Sequence, residues 1–162
     1  MRLVFRTTFY VRISPERLDV RNIGSGESIS EIPEIAIRSG PRPTIVGIGD
    51  GARAAAAEPG VSIVNPFAHP RSIVSDVTLG QALLKAFLRQ LDRGFLRIAP
   101  VIVIHPLGTP EGGFTEVENR ALREMASGAG ASKVVLWQGR VLTDEELRAG
   151  SLPSSGSSGS ES

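Results

Sequence analysis

Residues 100–137, PVIVIHPLGTPEGGFTEVENRALREMASGAGASKVVLW, spell out one strand, loop, helix and strand unit with its boundaries written in the residues. Val101, Ile102, Val103 and Ile104 form an unbroken apolar run, the pattern of a strand buried on both faces. Pro106, Gly108, Pro110, Gly112 and Gly113 then interrupt it. Thr115 and Glu118 have capping-box spacing, in which the hydroxyl accepts from the third helical amide and the carboxylate reaches back to the cap amide. Val117, Ala121 and Met125 are predicted on the core face, and Gly128 is the expected helix stop because it tolerates positive φ. Val134, Val135, Leu136 and Trp137 close the unit as a second buried strand.

Toward the N-terminus, Leu3, Phe5, Phe9, Val11 and Ile13 alternate with Arg2, Arg6, Thr8 and Arg12, which predicts a strand with one wet face. The competing reading of residues 1–6 is an amphipathic membrane anchor; the period-two pattern favours the strand. A turn at Ser14-Pro15-Glu16 leads into Leu18 to Ile23 as an antiparallel partner, the start of a three-stranded meander. Thr44 to Ile48 reads as a short strand. Gly47, Gly49 and Gly51 suggest a phosphate loop, but Asp50 would repel phosphate and is better read as the cap of a short Ala-rich helix ended by Pro59 and Gly60. The long helix that follows takes Ser75 or Asp76 as cap, Leu84, Phe87, Leu88 and Leu91 as core face and Gly94 as stop. Gly80 inside it costs about 1 kcal/mol of propensity unless it marks close packing.

The chain has 162 residues, 41% hydrophobic and 22% charged, enough for a single core. Residues 1–149 read as one domain and residues 150–162 as a disordered Ser/Gly-rich tail. With no cysteine there is no disulfide, thiol nucleophile or thiolate metal site, and a net charge of +1 gives no case for nucleic acid. No apolar run is long enough to span a bilayer and no signal-peptide core is present, so the cytoplasm is the expected compartment. His69 and His105 both read as exposed residues of proline-containing loops rather than metal ligands. Glu116 and Glu118 suit the helix start without acid–base chemistry.

Four segments in order carry a family resemblance. IPEIAIR (32–38), GIGDGARAAAA (47–57), IVNPFAHPRSIVSDVTLGQALLKAFLRQL (63–91) and GFTEVENRALREMASGAGASKVVLW (113–137) resemble successive passages of MreB, the bacterial actin homologue that determines rod shape. The resemblance implies an α/β fold, an actin-like ATPase domain of ribonuclease H-like type, with a mixed sheet of about five strands and helices on its faces. In that family a first-strand loop, Asp-Leu-Gly-Thr, holds magnesium and phosphate. Aligned on the strand, this chain has Arg12-Ile13-Ser14-Pro15. An arginine stands in the acid's place, Ser14 replaces glycine, and Pro15 removes an amide donor.

The family's Glu-Glu-Pro and alanine-rich helix are replaced by Gln138-Gly139-Arg140 and a short helix around Leu147, and the second half of an actin fold is not in the sequence. The resemblance therefore implies a vestigial phosphate loop at Arg12, Ser14 and Pro15, with no catalytic residue, cofactor or metal ligand. The expected function is protein binding, as a filament-associated adaptor or capping module. Its partner would be a cytoskeletal filament or the envelope-elongation machinery, or a second copy in a homo-oligomer. Membrane association at the inner face is the less favoured location. The alternatives are a nucleotide-binding actin-like protein and one half of a split ATPase.

Overall fold

The structure, a computed structural model, describes residues 7–68, 73–91, 98–108, 113–150, 152 and 159–161. Leu3, Phe5, His69, Gly94, Pro110 and Gly112, to which the sequence assigned roles, lie outside the described residues. In chain order the strands are β1 (Thr8–Ile13), β2 (Leu18–Asn22), β3 (Ser28–Glu31), β4 (Ile35–Arg38), β5 (Thr44–Ile48), β6 (Val61–Val64), β7 (Val101–Pro106), β8 (Lys133–Leu136) and β9 (Gly159–Glu161). The helices are α1 (Ala52–Ala55), α2 (Val77–Leu91), α3 (Glu116–Gly128) and α4 (Asp144–Ala149).

The main sheet has the order β3-β2-β1-β7-β8-β9. The predicted meander is there: β1, β2 and β3 pair antiparallel, Val11 opposite Val20. Beyond it β1, β7 and β8 run parallel, which places α2 and α3 in crossover connections. Five strands match the expected sheet. The sixth, β9, comes from the tail predicted to be disordered: it pairs antiparallel with β8, whose outer edge is otherwise unpaired among the described residues. A separate three-stranded sheet has the order β5-β4-β6.

The core lies under α2 and α3. Phe9, Val11 and Ile13 of β1 and Ile102 and Ile104 of β7 meet Leu84, Phe87 and Leu88 of α2 and Leu122 and Met125 of α3, each fully buried. The α2 cap is Asp76, whose Oδ1 accepts from the Leu79 amide at 3.0 Å, while the Ser75 hydroxyl donates to Pro66 O. Gly80 marks the predicted close packing, since a Cβ there would lie 2.8 Å from Met125 Sδ.

Three expectations about helix ends are corrected. Val117 is 78% exposed, because it lies five residues, about 140° of helix, from Leu122 at the centre of the buried stripe. Gly128 is the last residue of α3 rather than its left-handed stop; positive φ falls on Gly130, and a Cβ on Gly128 would meet Gln81 Oε1 of α2 at 2.0 Å. Asp50 does not cap α1, whose N-cap is Gly51 with no side-chain bond; its Oδ1 accepts from the Ile32 amide at 3.0 Å, tying β5 back to the end of β3.

Candidate functional site

In a sheet with parallel strands, loops converge beyond the carboxyl ends, and ligand sites form there. Here that edge is made by Ile13, Pro106 and Leu136, followed by the β1–β2 turn, the loop after β7 and residues 137–143. The turn carries the residues singled out in the sequence. Ser14 N–H donates to Arg17 O at 3.0 Å, and Arg17 N–H donates to Ser14 Oγ at 3.1 Å. Pro15 has no N–H, and its carbonyl accepts from Asn65 Nδ2 at 2.8 Å. The turn therefore spends the Ser14 and Arg17 amides on itself.

Arg12, one pleat before the turn, sits between Asp19 on β2 and His105 on β7, its register partners on either side. Its guanidinium pairs with Asp19 at 3.1 Å and its Cζ lies 5.9 Å from the Tyr10 ring centroid. The face of β1 that carries Tyr10 and Arg12 was predicted to be wet. It is covered instead: Tyr10 is 3% exposed and packs with Val103, Trp137, Leu142 and Leu147 beneath α4 and the segment leading to it.

His105, predicted to be an exposed loop residue, is corrected most strongly. Pro106 does not end the strand before His105; it pairs at the end of β7, where its missing N–H costs nothing to the ladder. His105 is 1% exposed and its ring stacks on Tyr10 with centroids 5.8 Å apart. Its Nε2 lies 3.0 Å from Gly139 O, an atom that can only accept, so Nε2 carries the hydrogen in the neutral ring. Nδ1 is then the acceptor for the Tyr10 hydroxyl at 2.6 Å, and the Tyr10 oxygen accepts in turn from the Leu142 amide at 3.1 Å. Burial, reinforced by nearby Arg12, pushes the imidazole below its ordinary range. Burial likewise pushes the Tyr10 phenol up.

α4 is pinned over this network by ion pairs that the sequence did not suggest. Arg21 of β2 holds Asp144 in a fork, with Nη2 to Oδ2 at 2.7 Å, and keeps that carboxyl below the usual range. Arg140 holds Glu146 at 2.6 Å; with the Thr143 amide it brings the Glu146 carboxyl down to about 2. Thr143 and Glu146 also form a capping box, and Trp137 Nε1 donates to Arg140 O at 2.8 Å.

Chemically, this is a polar lattice in which Arg12, Arg21 and Arg140 each already have an anion, while Arg12 Nε is a buried donor without a hydrogen-bond partner among the described residues. Among the described residues no three His, Cys, Asp or Glu converge as a metal site, and no helix is long and apolar enough to cross a membrane. Arg12, Ser14 and Pro15 fall together at the edge; His69 lies outside the described residues. Period-two alternation from Val101 would have put His105 on the Tyr10 face, the one available signal for the missed network.

Comparison with known proteins places this architecture. The family model for MreB/Mbl protein matches residues 20–143, beginning beyond the β1–β2 turn. The cell shape-determining protein MreB of Escherichia coli is 31% identical over 120 residues, covering 70% of this chain, and that of Salmonella typhimurium gives the same figures. The chain spans about a third of those relatives' length, 33%. Among solved structures, MreB5 of Spiroplasma citri bound to AMPPNP superposes with a TM-score of 0.67 at 18% identity, over 83% of this chain and 39% of that one. A non-polymerising MamK mutant bound to AMPPNP gives 0.66 at 14% identity, over 82% and 41%. These two likenesses establish the actin-like fold.

Proposed function

This chain belongs to the MreB/Mbl protein family, with its actin-like cytoskeletal fold, and on that premise we propose that it acts by binding other proteins rather than by hydrolysing ATP. The observation that carries the reading is the β1–β2 turn. Phosphate recognition at such an edge needs backbone amides free to point at the ligand and an acid to organise the metal. Ser14 and Arg17 use their amides within the turn, Pro15 has none, and Asp19, the carboxylate across the ladder from Arg12, is engaged by it. Anionic phosphate would have to break these contacts to bind. The start of the family match at Val20, after the turn, is in keeping with this.

On this reading Arg12, Ser14 and Pro15 are a vestigial phosphate loop. The chain serves as an adaptor or cap on a cytoskeletal filament, or docks on the envelope-elongation machinery, in the cytoplasm and near the inner face of the membrane. The test pairs thermal unfolding of the purified chain with ATP and magnesium at millimolar concentration against co-sedimentation with filaments of an MreB from the same host. The expected result is no shift in Tm and stoichiometric recovery with filaments. A nucleotide-dependent rise in Tm with phosphate release would return the ATPase reading.

A further inference from the structure

At the opposite end of the same parallel strands the described residues leave a groove beside α4. Thr8, Val101 and Lys133 are the first residues of β1, β7 and β8 and stand in register. They line a groove of about 460 Å³. It lies about 17 Å, the length of β1, from the turn discussed above. α4 is six residues long and ends at Gly150, at φ 70°, which itself lines the groove.

Its chemistry is one-sided. The floor is Val103 and Val135, neighbours on adjacent strands, and Leu147 and Leu152 form a wall. Among the described residues the charged members of its lining are Lys133 and Arg148, both cations, with no carboxylate. Lys133 is exposed, and Arg148 is steadied at the rim by donating to Ile23 O at 3.3 Å. A cleft of this size with an apolar floor and a polar rim is a usual form of a small-molecule site, and here the charged groups described at the rim share one sign. We propose that the groove binds a single-chain amphiphile, its apolar tail against Val103, Val135 and Leu147 and its carboxylate or phosphate head between Lys133 and Arg148. The site is independent of the proposed protein-binding role.

Trp137, the sole tryptophan, is buried in the same cluster as Val103, Val135, Leu147 and Leu152, so its emission reports occupancy. The probes are decanoate and decyl phosphate below their micellar concentrations, with decyltrimethylammonium as the cationic control. Both anions should give a saturable change and the cation none. Lys133→Glu, at an exposed position, should weaken anion binding at least tenfold with an unchanged Tm, and Val135→Phe should weaken it by filling the floor. Equal binding of the cation, undiminished affinity in Lys133→Glu, or no saturable signal from either anion overturns the proposal. So does binding to phosphatidylglycerol vesicles without binding of the soluble anions, which would assign the cations to a bilayer surface.

Discussion

Replacing His105 by Phe should cost the fold about 2 kcal/mol at neutral pH and remove a characteristic acid sensitivity. The ring volume is roughly kept, so the loss is polar. Tyr10 Oη loses the acceptor at 2.6 Å in a site 3% exposed, and an unsatisfied buried hydroxyl costs about 1–3 kcal/mol. Gly139 O loses its donor too, but Gly139 is exposed and water can replace it, so that term is small. The pH term has a definite sign. His105 titrates below its ordinary 6.5 in the folded chain, so below that pH the unfolded state binds the extra proton first. Stability is full above 6.5 and falls as pH drops toward the folded value, by at most about 1.4 kcal/mol per pH unit. The charged neighbours do not blur this window. Asp144 and Glu146 titrate below the usual carboxylate range, Arg140 is held cationic by Glu146, and Asp19 is paired with Arg12. Urea unfolding read by Trp137 emission between about pH 7.5 and pH 5.5 measures both terms. His105→Phe should start lower and lose less on acidification than the parent chain. Parallel pH curves for the two proteins would refute the assignment of the proton to His105.

The two helix glycines should respond differently to alanine. At Gly80 the new Cβ lies 2.8 Å from Met125 Sδ in the sealed α2–α3 contact, so Gly80→Ala should lose about 1–2 kcal/mol by thermal unfolding despite its better helix propensity. At Gly128 the obstacle is the amide end of Gln81, which can swing away, so Gly128→Ala should stay within about 0.5 kcal/mol of the parent. Thr115→Ala removes the acceptor for the Glu118 amide and should cost about 1 kcal/mol, read by the same melt, with Thr115→Ser restoring most of it.

What the sequence made legible was what local chemistry decides. The run Val101 to Ile104, the capping box at Thr115 and Glu118, and the α2 stripe from Leu84 to Leu91 each specify their element within a few residues, and the structure has all of them. The covered face of β1 was not legible, because its cover arrives from far along the chain. Arg21 and Asp144 are 123 residues apart, and Leu142 reaches Tyr10 across 132. Without that cover, the alternation of Phe9, Val11 and Ile13 with Tyr10 and Arg12 is indistinguishable from a strand with a wet side. His105 was misread for a related reason: a proline one residue later is a turn signal in isolation, yet a terminal strand position tolerates it.

The two ends of the parallel strands differ in how their charges are used, and this bears on what each can bind. At the carboxyl ends Arg12 faces Asp19 and Arg140 faces Glu146, at 3.1 and 2.6 Å, and at mid-strand Arg21 faces Asp144 at 2.7 Å. Paired charges at these distances project little field, so an incoming anion gains little from an arginine unless it also displaces the resident carboxylate. Displacing Asp144 or Glu146 would in addition unpin α4 from the sheet. At the amino ends, Lys133 and Arg148 border a groove in which no described residue is a carboxylate, so an anion arriving there displaces no described ion pair. In a chain whose net charge is +1, local pairing rather than total charge decides where an anion is received. The same argument separates the two proposals. A nucleotide must displace hydrogen bonds and an ion pair at the turn, whereas an amphiphile enters a groove in which the described residues present two cations and no carboxylate.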